Sequence, residues 1–133
     1  MSWYKKVEAL AWKRIVSYVE WNDPFYKGSG TYFTKLAEEV QEACDENKNM
    51  NRVYLEYELA DIFRNYMCLL QPLKVEWKID DIDDVLERSY NKFIERVGEE
   101  WKWVLLPWDE VKKVQKQKIQ NEHDEYQKSL GGG

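Results

Sequence analysis

Apolar residues recur at three- and four-residue spacing along most of the chain, the period of a helix buried on one face. Over 3–21, Trp3, Val7, Leu10, Ala11, Ile15, Tyr18 and Val19 predict a first helix with these residues inward. "NDPFYKGSG" breaks the pattern with Pro24, Gly28 and Gly30. No strand precedes this glycine pair, so it reads as a helix–helix connection and not as a phosphate-cradling loop. A second helix is predicted over 31–48, capped by Thr31 or Thr34, with Phe33, Leu36, Val40, Ala43 and Cys44 inward. It has no capping box, because Ala37 stands three residues after Thr34. The asparagines of "NKNMN" then turn the chain. A third helix over 52–70 carries Leu55, Leu59, Ile62, Tyr66 and Leu69 on one face and is expected to stop at Pro72.

Asp80, Asp81, Asp83 and Asp84 suit the N-terminal end of a fourth helix, where acids complement the dipole. Its inward set is Ile82, Val85, Leu86, Phe93 and Val97, and its end is expected near Gly98 or Trp103. From Pro107 the chain is polar on most sides, which suits a solvated helix, a partner-contacting arm or a frayed end. The last three glycines suit a flexible end. No stretch alternates with period two, and no repeat or low-complexity block occurs. The expectation is an all-α protein with four core helices and a looser fifth: a domain over 1–103 and a polar extension over 104–133.

Composition narrows the class. A chain of 133 residues favours one compact domain. Apolar residues make 44% and aromatics 15%, enough for a core despite a charged fraction of 34%. Net charge is −5, which argues against broad binding to nucleic acid or anionic membranes and requires any anionic substrate to meet local cations or a metal. Cys44 and Cys68 both fall in apolar-periodic segments, as half-buried thiols in a reducing cytoplasm do. No apolar run is long enough for a transmembrane helix, and "MSWYKKVEALAWKR" lacks the apolar stretch of a signal peptide.

Candidate chemistry gathers in "KLAEEVQEACDENKNMNRVYLEYELAD". If the second and third helices form an antiparallel hairpin about Met50, Glu42 and Glu58 each lie eight residues from the turn, and Glu39 and Asp61 each lie eleven. The two levels then differ by about 4.5 Å of helix rise. Glu39 falls at the border of one apolar stripe, and Glu58 and Asp61 fall at the border of the facing one. Carboxylates meeting there would raise one another's pKa, and a hard cation relieves that repulsion. The other reading is a solvated face, since Asp45, Glu46 and Glu56 are acidic too. Asn65 continues the Glu58–Asp61 stripe, either orienting a ligand or lining a polar border. The aromatics, Trp12, Trp21, Trp101, Trp103 and Trp108 among them, suit core or interface positions, with base stacking by one of them, or by Tyr54 or Tyr66, left open. His123 stands alone in the polar tail and suits a solvated position.

"EEVQE", a gap of fifteen residues and "ELAD" together resemble the E-E-x-x-E…E-x-x-D signature of the MazG-like nucleoside-triphosphate pyrophosphohydrolases. That all-α superfamily also includes dimeric dUTPases and phosphoribosyl-ATP pyrophosphohydrolases. The resemblance covers roughly 30–97. It implies Mg²⁺-dependent cleavage of the α–β phosphoanhydride of a nucleoside triphosphate, with Mn²⁺ as an alternative metal. The same resemblance implies Glu39, Glu42, Glu58 and Asp61 as metal ligands. Glu38, with Glu39, would hold or polarise the attacking water or help bind another metal. "NKF…R" is similar to a basic phosphate-binding element of the family, which implies Asn91, Lys92 and Arg96 as substrate contacts, with Lys35 a further candidate. Arg88 shares their helical stripe, with pairing to Asp84 as its simpler expectation. The family also implies a homodimer or homotetramer. Rival readings are a narrower dUTP or phosphoribosyl-ATP pyrophosphatase, or a helical interaction module without activity.

Overall fold

The computed structural model describes residues 2–97 and 108–131, the side chains of Arg96, Val97 and Trp108 excepted. Five helices appear among the described residues, with no strand: α1 (Trp3–Glu20), α2 (Ser29–Lys48), α3 (Arg52–Val75), α4 (Ile82–Val97) and α5 (Trp108–Gly131). This is the all-α architecture that the periodicity predicts. The expected features at Gly98, Trp101, Trp103 and Pro107, the boundary at 103/104, and the last two glycines lie outside the described residues. The chain falls into two compact units, Met1–Ile82 and Asp83–Gly133.

In the first unit, α3 packs against both α1 and α2. Its C-terminal half is enclosed: Met67, Cys68, Leu69, Leu70, Gln71 and Pro72 are all buried in succession. Burial on every side overrides the one-face pattern there. Pro72 does not stop the helix, which runs on to Val75. The ring gives up one backbone hydrogen bond and is itself fully buried, so packing offsets the roughly 3 kcal/mol that an interior proline costs. The helix closes at Trp77, with Lys78 N donating to Leu73 O at 2.9 Å and Trp77 N to Lys74 O at 3.1 Å. That is a Schellman closure with a tryptophan at φ +61°, where glycine is usual.

The inward faces differ from the predicted stripes. Ala11, Ile15 and Tyr18 of α1 are buried, whereas Trp3, Leu10 and Val19 are exposed. Among the described residues α1 packs chiefly on α3, with Tyr18 also reaching Tyr32 of α2, so only the centre of its broad apolar stripe is covered. In α2 the buried residues are Ser29, Tyr32, Glu39 and Ala43, while Phe33, Val40 and Cys44 are exposed. In α3, Leu55 and Ile62 are half-buried as expected, but Leu59 is exposed. Cys44 and Cys68 are both free thiols.

α2 begins at Ser29, earlier than either predicted cap, and Thr31 instead accepts from Lys27 N at 2.9 Å. Gly28, at φ +85°, offers no side-chain cap. The cap comes from across the unit: Ser29 N and Ser29 Oγ both donate to the Glu76 carboxylate at 3.0 Å. Burial pushes the Glu76 pKa up, but hydrogen bonds from Lys78 and Ser29 outweigh it and leave the pKa below the usual value. In the second unit, Arg88 pairs with Glu122 through contacts of 2.6 and 3.0 Å, in place of the Asp84 pairing expected from spacing. Gln115 of α5 is buried and donates to Lys92 O and to Glu95. Phe93 is exposed, contrary to its predicted inward position, while Val85 and Leu86 are half-buried.

Replacing Glu76 with Ala leaves the first turn of α2 without its acceptor. The expected loss is about 1 kcal/mol, that of a helix N-cap, read as a lower denaturation midpoint at pH 7. Because the native pKa is depressed, the difference from wild type should shrink as pH falls below the ordinary carboxylate value.

Candidate metal centre

α2 and α3 form a hairpin that turns through residues 49–51, with Met50 at φ +55°. Glu39 projects from the buried face of α2, while Glu58 and Asp61 are half-buried on α3. Each of these three residues offers an oxygen within 4.8 Å of the others. Glu42, one turn along α2, is exposed but reaches hydrogen-bonding distance of both Glu39 and Glu58. The expected register about Met50 therefore holds. Glu39, however, lies at the buried centre of its face and not at the border.

Oε2 of Glu39 and Oε2 of Glu58 are buried, and neither accepts a hydrogen bond among the described residues. The polar neighbours common to both, Glu42 and Asp61, are carboxylates as well, and Glu42 lies nearest in hydrogen-bonding terms. Two carboxylates share a hydrogen bond only when one carries a proton. Burial raises the pKa of Glu39, reinforced by Glu42 and Asp61 and opposed by Arg64. Burial likewise pushes Glu58 up to about 7, with Glu42, Glu39 and Asp61 adding to it. The arrangement thus calls for positive charge, supplied by protons or by a cation.

The donor set suits a hard divalent ion. Oxygens at about 2.1 Å from Mg²⁺ stand roughly 3 to 4 Å apart in an octahedron, so a contraction on the order of 1 Å fits this trio to one ion. Buried oxygens without a donor are the groups such an ion would satisfy. Asn65 Nδ2 donates to Asp61 O at 2.8 Å, back along the same helix.

Arg64 was not singled out from the sequence. Its Nη2 lies 3.2 Å from Asp61 Oδ1, which makes it the cation at the edge of the cluster. A basic residue three positions after Asp61 is the signal that spacing offered. Glu38 is 54% exposed at its side chain and pairs with Lys35 at 3.3 Å. Asn91 and Lys92 are exposed on α4 in the second unit. The Arg96 side chain lies outside the described residues.

The family model described as the MazG nucleotide pyrophosphohydrolase domain matches residues 27–101, which include both helices of the acidic hairpin. No curated protein and no solved structure matches the chain significantly.

A raised native pKa stabilises the fold at low pH, and that contribution is lost as pH rises through the native value. Without divalent cation, the share due to Glu58 should therefore fall between pH 4.5 and about 7. The thermal midpoint of wild type relative to Glu58→Gln, followed across that range in EDTA, measures this share. Mg²⁺ should raise the wild-type midpoint more at pH 8 than at pH 5, because protons compete for the same oxygens.

Proposed function

The chain belongs to the MazG nucleotide pyrophosphohydrolase family, and on that premise we propose that it hydrolyses nucleoside triphosphates, canonical or modified, to the monophosphate and pyrophosphate. The observation that carries this reading is the Glu39–Glu58–Asp61 trio, in which Oε2 of Glu39 and Oε2 of Glu58 are buried without a donor among the described residues. Glu39, Glu42, Glu58 and Asp61 hold Mg²⁺, with Mn²⁺ as a substitute. Bound there, the ion supplies neutralisation of phosphate oxygens and acidification of a water. Without it a polyanionic triphosphate would be repelled by these acids.

The chain's own residues do the rest. Glu38 and Glu39 orient a water and accept its proton at a carboxylate oxygen. The water oxygen bonds to the α-phosphorus as the bridging α–β bond breaks, and pyrophosphate departs. Lys35, Asn91, Lys92 and Arg96 bind phosphate oxygens and stabilise charge on the leaving group. The catalytic domain is assigned to 1–103 and the polar extension to 104–133. No described helix is long and apolar enough to cross a membrane, and we assign the enzyme to the cytoplasm, without nucleic-acid or membrane partners. Exposed Phe33 and Val40 on α2, with Leu59 and Phe63 on α3, favour a homodimer or homotetramer that covers them.

Glu42→Gln and Asp61→Asn should each lower the rate of Mg²⁺-dependent pyrophosphate release by about 100-fold or more while leaving helicity intact. A panel of nucleoside triphosphates, dUTP and phosphoribosyl-ATP, assayed for monophosphate and pyrophosphate, identifies the substrate. Unchanged rates in both variants contradict the ligand assignment, and no turnover of any substrate favours an interaction module.

A further inference from the structure

A cleft of about 680 Å³ opens in the first unit where the start of α1 faces the close of α3. It is separate from the acidic trio: Gln71, in its wall, lies ten residues beyond Asp61 on the same helix, about 15 Å along the axis. Its size falls in the range of roughly 300–1,000 Å³ that small-molecule sites occupy. Nothing in the proposed hydrolysis uses it.

We propose that this cleft binds an organic monocation, a protonated amine carried on an apolar or aromatic body. Three features select that chemistry. The first is a pair of acceptors whose hydrogen-bonding capacity is not fully used. Oε2 of Glu8 is buried and accepts no hydrogen bond among the described residues, with the Lys5 ammonium 3.5 Å away as its ion-pair partner. Gln71 is 4% exposed and donates its Nε2 to Met67 O at 3.2 Å, which leaves its Oε1 as the acceptor in the cleft wall. An ammonium carries three donors and no acceptor, which matches this need.

The second feature is charge. Lys5 and Lys74 face Glu8, Asp80 and Asp81 around the cleft, an excess of one carboxylate. Lys74 pairs with Asp81 at 3.8 Å and Lys5 with Glu8, while Asp80 has no ion pair among the described residues. An anion is disfavoured here. A bare metal ion is not matched either, because among the described residues only the Glu39 trio brings three ligand oxygens within 4.8 Å of one another. The third feature is the apolar wall, to which Ala9, Trp12, Val75 and Ile82 contribute. Trp77 lines it as well, 90% exposed and in a left-handed conformation that costs a bulky residue energy. Its packing does not repay that cost in the free protein. A flat or aliphatic body between the indoles, with an ammonium near their faces, would.

Isothermal titration of the full chain in Mg²⁺ with phenethylamine, 2-phenylethanol and phenylacetate tests this, since the three share a shape and differ in charge. The amine should bind saturably and at least tenfold tighter than the alcohol or the carboxylate. Glu8→Gln should remove that preference and leave the alcohol's affinity unchanged. Trp77→Gly should weaken binding of the amine while raising Tm, because glycine takes the left-handed conformation without cost. Nucleotide hydrolysis should be unchanged in both variants, so failure of this site and failure of the hydrolase reading can be told apart. Equal affinity for all three compounds, no binding of any, or an undiminished amine preference in Glu8→Gln overturns the proposal.

Discussion

Glu39 is only 9% exposed, and the carboxylates of Glu42, Glu58 and Asp61 surround it. Like charges brought so close in a partly buried place repel, and neither helix could present them without something to hold the pair together. The remainder of the first unit supplies that restraint. Its strongest anchor is the enclosed half of α3 from Met67 to Pro72, whose burial fixes the rod that carries Glu58 and Asp61. α1 contributes a narrow stripe against it, centred on Ala11 and Ile15. At the far end, the Glu76 carboxylate ties the start of α2 to the close of α3. The hairpin is thus clamped away from the cluster, and the repulsion is spent on raised pKa values instead of on splaying the helices.

That division of labour explains why the acids sit where apolar residues would pack better. A hydrophobic side chain at Glu39 would extend the core from Tyr32 to Ala43 without interruption. Burying a carboxylate in that line costs stability unless the charge is met. Arg64 meets part of it from the rim of the cluster, through Asp61. The two oxygens left without donors among the described residues are what remains to be met, in a hairpin that lies within the match to the nucleotide pyrophosphohydrolase family.

The helices and their register were legible in the sequence because they depend on short-range signals. Equal spacing about Met50 places Glu39 level with Asp61, and the hairpin obeys it. Faces were less legible. A hydrophobic stripe assumes that apolar residues lead the packing, so it set Phe33 and Val40 inward and Glu39 at the border, and the structure reverses that order. Pro72 misled because propensity alone cannot register how completely its ring would be buried. The cap on Ser29 comes from 47 residues away, beyond any local motif. Arg64 was visible as a spacing but indistinguishable from an ordinary surface pair until the cluster existed beside it.

The central claim is that the hairpin's carboxylates trade shared protons for one divalent ion. Calorimetric titration with Mg²⁺ in buffers of differing ionisation heat reads that exchange directly. Binding at pH 6 should release about one proton per ion or more, falling toward none at pH 9, since burial and the neighbouring acids push Glu58 up to about 7 and raise Glu39 as well. Saturable binding with no proton release at pH 6, or no saturable binding at either pH, contradicts the account.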